Sequence, residues 1–425
     1  MDNTQTTKNN PYKDLFTNLN FLKLWISQLF SQLSANLLNF ALIIRVFDLA
    51  AGTKYASISV SLLVLAFGVP SIIFALLAGA YVDHLDRKKV LVVTNVFRAL
   101  LVLMLLFFDN NLVVIYLLVF MISVFSQLFI PAEAAAMPRL VKKRDLTIAN
   151  SFFLFTLYGS FAVGYAMAGP VISSFGQNAV YWLASGAFMI SGLLCLTLPK
   201  LNAKLKGINI TQINRQVMST IGQTTKKILS SPKLSFPILN LSIIQMMIGV
   251  IAVIAPALSI ALFDQSLAVA STKIIIPISI GMLFGAFISG HILRKSKRVI
   301  TIDLGIGVAV LILVGSYFLP RLKSIALYIP IIVIGVFILG IAVSMISVTA
   351  QTLLQVNSSD EERGKIFGML NMMMNIAATI PVLIAGIVAD IVSPLAAISI
   401  SGMVIGIFGI YQFLTLRKHE AIYKK

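Results

Sequence analysis

The amino-acid sequence predicts an all-α integral membrane protein, with twelve transmembrane helices in two pseudo-symmetric six-helix bundles. Three observations lead to this fold class. Of the 425 residues, 58% are hydrophobic and 11% are charged, which excludes an ordinary soluble domain. The hydrophobic residues form apolar runs that are each long enough to cross a bilayer. The pattern of the first half is repeated in the second half, which predicts two structural halves related as a parallel repeat.

The predicted helices alternate with short polar connections. They occupy, in order, 22–47, 55–82, 89–108, 112–136, 147–173, 178–198, 236–262, 272–293, 299–319, 324–353, 365–389 and 394–416. An even number of spans places both termini on one side, and most of the 33 lysine and arginine residues fall on that side. Because cytoplasmic connections carry the excess of positive charge, we expect both termini in the cytoplasm and the protein in a bacterial plasma membrane.

The charge and the rare residue types exclude several functions. The net charge of +18 is spread between apolar runs rather than gathered in a basic domain, so we expect no nucleic-acid partner. Cys195 is the single cysteine, and the three histidines lie far apart, at positions 84, 291 and 419. Without a cluster of ligands or a nucleophile beside a base, we expect no metal, no cofactor and no enzymatic activity.

The first predicted helix carries a stripe of four amide side chains. Gln28, Gln32, Asn36 and Asn39 follow one another at spacings of four, four and three, so they share one helical face. Amides are costly to bury without partners, and the stripe therefore favours the lining of a substrate cavity. Hydrogen bonding between helices is the alternative.

The connection between the second and third helices combines a glycine, an acid and several bases. Residues 79–89 read GAYVDHLDRKK. Gly79 would allow close approach of two helices, Asp83 can interact with a helix N-terminus, and Arg87 can pair with a carboxylate. We interpret these three as a gating latch that opens and closes. The alternative, a loop that only orients the chain, is preferred for Lys88 and Lys89.

This connection resembles the loop between the second and third helices of the major facilitator superfamily, whose usual pattern is Gly-x-x-x-Asp-x-x-Gly-Arg-Lys/Arg. Asp86 stands in place of the second glycine, as in the macrolide-efflux and enterobactin-exporter branch. Segments 20–28, 131–150 and 360–368 resemble the same branch, so the resemblance covers nearly the whole chain. It implies a secondary active transporter of the drug:proton antiporter type, exporting small amphipathic molecules by alternating access.

Two charged side chains fall inside the apolar runs of the first half. Arg98 lies roughly 13 Å along its helix from Lys89, near the middle of the membrane, where an arginine needs a partner or an anionic ligand. We therefore expect Arg98 to line the substrate cavity together with the amide side chains. Glu133 lies about 7 Å from the helix end at Pro138. We expect Glu133 to be the partner of the Arg87 latch, because the depths match. A proton carrier and an acid at the water boundary are the alternatives.

The fifth helix carries small residues at regular spacing. Ser160, Gly164 and Ala168 form a small-x-x-x-small face that permits close contact, and Pro170 favours a bend. The spacing of Gly159, Gly164, Gly169 and Pro170 resembles the fifth-helix motif of antiporters in the same superfamily.

The chain divides into residues 1–199, a linker 200–235 and residues 236–425. The linker contains an amphipathic helix that we expect on the inner leaflet. Residues 290–298, GHILRKSKR, repeat the earlier basic loop at an offset of 211, with Arg294 in place of Asp83. Amides at four positions of the second half extend the predicted cavity: Gln245, Gln351, Asn371 and Asn375. Asp303 is the second candidate for coupling, beside Glu133.

Other functions stay open from the residues alone. Within transport, the alternative is a lipid (lysophospholipid) or siderophore translocator of the same fold. Two alternatives of other classes have less support. A nontransporting membrane sensor needs an appended soluble domain, which the sequence does not show, and a membrane-embedded enzyme needs a catalytic pair at one depth, which no histidine, cysteine or serine group supplies. We expect a monomer whose partners are the substrate, protons and membrane lipids.

Overall fold

The computed structural model describes residues 15–82, 84–142, 145–201, 210–292, 298–358 and 363–416. Within these ranges, twelve helices are long and apolar enough to cross a membrane. They are α1 (Leu19–Ala50), α2 (Ala56–Val82), α3 (Arg87–Phe108), α4 (Leu112–Leu140), α5 (Leu146–Phe175), α6 (Gln177–Leu196), α7 (Pro232–Phe263), α8 (Leu267–Ile292), α9 (Arg298–Gly315), α10 (Tyr328–Asn357), α11 (Arg363–Ile391) and α12 (Pro394–Leu416). The predicted fold class is confirmed.

Polar residues between the apolar runs define where several helices begin. The side chain of Asn18 accepts hydrogen bonds from the backbone nitrogens of Asn20 and Phe21 at the start of α1. Asn111 does the same at the start of α4, with Val113 and Val114 as donors. Such N-caps satisfy backbone donors that have no partner inside the helix. The largest difference from the predicted bounds is at α8, which begins at Leu267 and not at position 272. The helix α10 begins later than predicted, at Tyr328, because a 3-10 helix, Ser316–Leu322, and a turn come first.

The helices form two bundles. In the N-terminal bundle, α1 packs against α5 and α6, α3 against α4 and α6, and α2 against α4. In the C-terminal bundle, α7 packs against α10 and α11, α9 against α10 and α12, and α8 against α10. The bundles meet where α2 contacts α11 and α5 contacts α8. A two-fold operation that maps the first six helices onto the last six exchanges these two contacts, which is the symmetry of a parallel repeat.

The helical bundles have two opposite ends, which are called the near face and the far face. The near face is the side at which α1 begins, and it carries the connections around residues 84–86, 141–145, 197–231 and 358. The far face is the side at which α1 ends, and it carries the connections at 51–55, 109–111, 176, 264–266, 323–327 and 392–393.

The linker forms a helix, Ile210–Ser230, on the near face. Its buried side chains include Thr224 and Ile228, Ile221 packs against the main hydrophobic core, and the helix contacts α2, α7 and α11. Thr225 Oγ1 lies 3.7 Å from Met369 Sδ of α11. The position of this helix on the inner leaflet stays a prediction, and the structure adds its contacts with protein. Part of its apolar side is turned toward protein because helices from both bundles meet it.

Glycines permit the closest helix contact inside the C-terminal bundle. A Cβ atom on Gly281 of α8 would overlap the carbonyl oxygen of Phe337 on α10, and one on Gly340 of α10 would overlap that of Ile278. Gly285, one turn after Gly281, would lie 2.6 Å from the carbonyl oxygen of Ile341. This seam lets backbones approach, as at small-x-x-x-small interfaces in membranes.

Candidate functional site

A pair of opposite charges lies inside the N-terminal bundle. Arg98 of α3 is 2% exposed and Glu133 of α4 is 5% exposed, and each is an electrostatic partner of the other. Arg98 stands roughly 16 Å along α3 from its first residue, so it lies near the middle of a bilayer. Charged side chains at this depth are costly and mark functional positions in membrane proteins.

The guanidinium of Arg98 is held by its own helix and by two rings. It lies between Phe129 and Phe188, at 4.4 Å and 4.6 Å from their ring centroids. Its Nε donates to the carbonyl oxygen of Thr94 at 3.3 Å, and a terminal nitrogen donates to Asn95 Oδ1 at 2.6 Å. Aromatic faces and two acceptors stabilise the positive charge without a carboxylate in direct contact.

The carboxyl group of Glu133 is incompletely satisfied. Its Oε1 is buried and makes no hydrogen bond, and no ion pair joins Glu133 to a cation within the described ranges. Its electrostatic partner is Arg98 rather than Arg87, which corrects the predicted pairing with the latch. The prediction matched depths along the membrane, but rotation about the axis of α4 decides which neighbour the side chain faces.

The predicted latch is only partly visible. Arg87 is the first residue of α3 and is 7% exposed, whereas Asp83 lies outside the described residues. Gly79 was expected to permit close contact between two helices. A Cβ atom at this position would meet no described atom within 4 Å, so the expectation was wrong for the described structure. Asp86 caps α3, since its side chain accepts from the backbone nitrogen of Lys88 at 3.0 Å. The N-cap preference for aspartate was the signal that sequence reasoning missed.

The amide stripe of α1 is divided between two environments. Gln28 is 5% exposed and its Nε2 donates to the carbonyl oxygen of Phe153 on α5 at 3.4 Å, so here the interhelical alternative applies. Gln32, Asn36 and Asn39 are half-buried. Asn36 packs against α5, which leaves Gln32 and Asn39 as the stronger candidates for cavity lining.

The small-residue motif of α5 permits the close contact between α5 and α1. A Cβ on Gly164 would lie 2.7 Å from Asn36 Cβ and 3.0 Å from the nitrogen of Leu37, so only glycine lets α5 approach α1 this closely. Gly159 faces open space in the described structure, Gly169 is buried and Pro170 is exposed.

The amides of the C-terminal bundle lie at the sides of α7, α10 and α11. Gln245 and Gln351 are half-buried, Asn371 is exposed and Asn375 is half-buried. The two asparagine side chains donate to carbonyl oxygens one turn earlier in α11, at 3.2 Å and 2.8 Å. These amides are satisfied within their own helix and can exchange that bond for one to a ligand.

Asp303 of α9 belongs to a hydrogen-bonded chain within the C-terminal bundle. Gln412 of α12 donates to Asp303 Oδ1 at 3.4 Å, and Asn240 of α7 donates to Gln412 Oε1 at 3.0 Å. Asn240 and Gln412 are 1% and 4% exposed. Asp303 is therefore bonded to its own bundle, whereas Glu133 lacks a hydrogen bond on one oxygen.

One acid that sequence reasoning missed joins the two bundles. Asp390, near the end of α11, accepts hydrogen bonds from the backbone nitrogens of Ser57 and Ile58 in the first turn of α2. The only signal in the sequence is an acid at the end of an apolar run, and it does not reveal a partner 333 positions away.

Comparison with known proteins agrees with this architecture. The nucleoside transporter NupG superposes with a TM-score of 0.72 at 12% identity, over 94% of this chain and 99% of that structure, which shows a shared fold. Macrolide efflux protein A of Streptococcus pyogenes is 24% identical over 380 residues, covering 88% of this chain and 90% of the relative. The enterobactin exporter EntS of Salmonella typhi is 25% identical over 404 residues, covering 93% and 92%.

The family follows from the extent of a further match. The sequence profile described as Major Facilitator Superfamily matches residues 24–380, most of the chain. The family and these relatives are transporters and not enzymes, and the twelve spanning helices make this a multi-pass membrane protein. The chain therefore belongs to the major facilitator superfamily.

Proposed function

We propose that the protein exports small amphipathic molecules from bacteria by alternating access, driven by the inward movement of protons. The relatives named for macrolide and enterobactin efflux support export. The excess of lysine and arginine on the near face supports a plasma-membrane protein with that face and both termini in the cytoplasm.

The observation that supports proton coupling is that Glu133 is buried and has one carboxyl oxygen without a hydrogen bond. A carboxylate in an apolar interior is destabilised by loss of hydration, whereas the positive charge of Arg98 nearby stabilises it. Small changes in the distance between α3 and α4 alter this balance, because the Coulomb energy of a buried pair depends steeply on distance. Conformational change can then load the carboxyl group with a proton on one side of the membrane and release the proton on the other.

The chemistry of the candidate cavity supports an amphipathic substrate. Apart from Arg98, the side chains proposed to line it are amides, such as Gln32, Asn39, Gln245 and Asn375, and carry no formal charge. Half-buried Met372, Met373 and Met374 stand beside Asn375, although they also pack against the core. Uncharged hydrogen-bonding groups beside adaptable apolar side chains suit a ligand with both polar and apolar parts.

Siderophore export is the second candidate function. Enterobactin exporters match almost the full length of the chain at an identity similar to that of the macrolide efflux protein. Both candidates use the same fold and the same direction of transport, so only the substrate distinguishes them.

Transport by purified protein in vesicles tests the proposal. With an imposed pH gradient, the parent protein should accumulate at least one compound from a panel of a macrolide, a catecholate siderophore and a lysophospholipid. Glu133→Gln should lower this accumulation at least about tenfold, which corresponds to losing roughly 1.4 kcal/mol of coupling, and should retain exchange of labelled for unlabelled substrate. Asp303→Asn tests the second coupling candidate, and its accumulation should stay near the parent value because Asp303 is hydrogen-bonded within its own bundle.

Other outcomes are equally informative. A Glu133→Gln protein that still concentrates substrate with only a pH gradient would remove Glu133 from the coupling mechanism. Movement of the lysophospholipid alone would overturn the drug and siderophore candidates in favour of lipid translocation.

A further inference from the structure

The start of α2 is capped by a side chain from the opposite bundle. The first backbone N–H groups of a helix have no acceptor inside the helix. In α2, the nitrogens of Ser57 and Ile58 donate to Asp390 Oδ1 and Oδ2, each at 2.9 Å. A carboxylate at a helix N-terminus also interacts favourably with the helix dipole. Asp390 thus acts as an N-cap for α2, although it comes from another helix and not from the residue that precedes α2.

Two further positions of α11 extend this contact along one helical face. Val382, Gly386 and Asp390 are spaced by four residues, so they form a single stripe. Ser61 Oγ of α2 donates to the carbonyl oxygen of Val382 at 3.1 Å. A Cβ on Gly386 would overlap Ser61 Oγ and would lie 2.9 Å from the carbonyl oxygen of Ser57. The two helices therefore touch through backbone at a point where only glycine fits.

These contacts are concentrated at the far face. The α2–α11 seam contributes three hydrogen bonds between the two bundles. Ser57 and Ser61 are 1% and 0% exposed, so the seam excludes water here. Separation of the bundles at the far face has to break every one of these bonds.

The chemistry of the seam suits repeated opening. On separation, the Asp390 carboxylate and the two N–H groups exchange their mutual bonds for bonds to water. Such an exchange has a small net free energy compared with the bonds themselves. The seam can therefore hold the far face closed without making the open form inaccessible.

We propose that Asp390 and Gly386 of α11, with Ser57, Ile58 and Ser61 of α2, form the far-face gate, and that Asp390 is its releasable latch. The structure is then the form closed at the far face. This proposal rests on the alternating-access transport proposed above, and it adds a gate on the side opposite to the basic 79–89 connection.

Distances between spin labels test the gate without any transport. Asn178 and Ser324 are exposed far-face positions in opposite bundles and away from the seam. Cysteines at both, in a Cys195→Ser background, carry the labels in lipid nanodiscs. The parent should show a short-distance population. Asp390→Asn keeps the shape but replaces one acceptor by a donor, and it should raise the ratio of long to short distances about tenfold.

A second variant acts through a different physical cause. Gly386→Ala adds a methyl group that fits only when the bundles separate, so it should shift the ratio in the same direction. Asp264→Asn is the control, because Asp264 is a far-face acid that pairs with Lys323 of its own bundle at 3.4 Å and should leave the ratio unchanged. Asparagine also tolerates the left-handed backbone of that position, where φ is 54°.

The outcomes separate this proposal from that on transport. Parent-like distances for both Asp390→Asn and Gly386→Ala would overturn the gate, as would a parent protein without the short-distance population. Neither result bears on proton coupling, because no substrate or gradient is present. Conversely, a protein that fails to transport any tested compound but shows both shifts retains the gate and loses the proposed substrate class.

Discussion

At the scale of single residues, buried charge is confined to a few positions with different surroundings. Arg98 has two rings and two acceptors, whereas Glu133 has an oxygen without a hydrogen bond and a cation in electrostatic range. Asp303 is bonded through Gln412 to the rest of its bundle. A group whose surroundings favour neither charge state strongly is the one suited to exchange a proton. This contrast is the reason for placing coupling at Glu133.

The near-face connection yields a prediction at the same scale. Asp83→Asn should slow transport roughly tenfold, because a charge-assisted hydrogen bond contributes about 1.5–3 kcal/mol, while membrane insertion stays normal. Arg87→Ala should have a similar effect. Initial rates of substrate efflux from cells, corrected for the amount of protein in the membrane, measure it.

Lys89→Ala is the control for these variants, since Lys89 is exposed and is expected to contribute only to topology. Parent-like rates for both Asp83→Asn and Arg87→Ala would show that the connection orients the chain and does not act as a latch.

At the scale of helices, glycine determines which pairs approach closely. Gly164 brings α5 onto α1, Gly281 and Gly340 bring α8 onto α10, and Gly386 brings α11 onto α2. The first two seams lie within a bundle and the third lies between bundles. A larger residue in place of glycine in the α1–α5 or α8–α10 seam should therefore lower the stability of the protein. In the α2–α11 seam it should instead change the equilibrium between conformations.

The α8–α10 seam gives a direct test. Gly281→Ala places a methyl group against the carbonyl oxygen of Phe337 and should destabilise the protein by about 1–3 kcal/mol, the usual cost of overpacking. Thermal unfolding in detergent measures the effect as a lower transition temperature.

Gly335→Ala in α10 is the matched control, because a Cβ there meets no described atom within 4 Å. Alanine exceeds glycine in helix propensity by up to about 1 kcal/mol, so this variant should be as stable as the parent or more so. Equal stability of the two variants would contradict the seam.

At the scale of the whole molecule, two helical bundles are joined chiefly through two pairs of helices. α2 with α11 and α5 with α8 are the contacts expected from the internal two-fold symmetry, and the linker helix touches helices of both bundles on the near face. Three hydrogen bonds of the α2–α11 seam join the bundles toward the far face. This distribution is expected for a transporter that is closed on one side, because alternating access requires contacts that differ between the two faces.

Orientation in the membrane is a prediction for the whole chain. Alkaline phosphatase fused after Asn110, on the far face, should be active outside the cytoplasm. The same enzyme fused after Lys142, on the near face, should be inactive, and a fluorescent protein at the C-terminus should be fluorescent. The reverse pattern of activities would invert the proposed orientation and with it the assignment of the two faces.

The sequence alone determined the fold class, the number of helices and the family. Each apolar run, bounded by polar capping residues such as Asn111, is a local feature of the sequence. In a bilayer the backbone polar groups of such a run must be hydrogen-bonded internally, which leaves the helix as one of few possible structures. The depth of Arg98 and Glu133 along the membrane also followed from counting residues.

Only the tertiary structure decided which side chains face one another. Depth along a helix follows from sequence, but rotation about its axis and the choice of neighbouring helix depend on packing of the whole bundle. For that reason Glu133 was assigned to Arg87 instead of Arg98, Gly79 was given a contact that this state lacks, and Asp390 was overlooked. The partners of Asp390 are more than three hundred residues away in the chain, where no local pattern records their proximity.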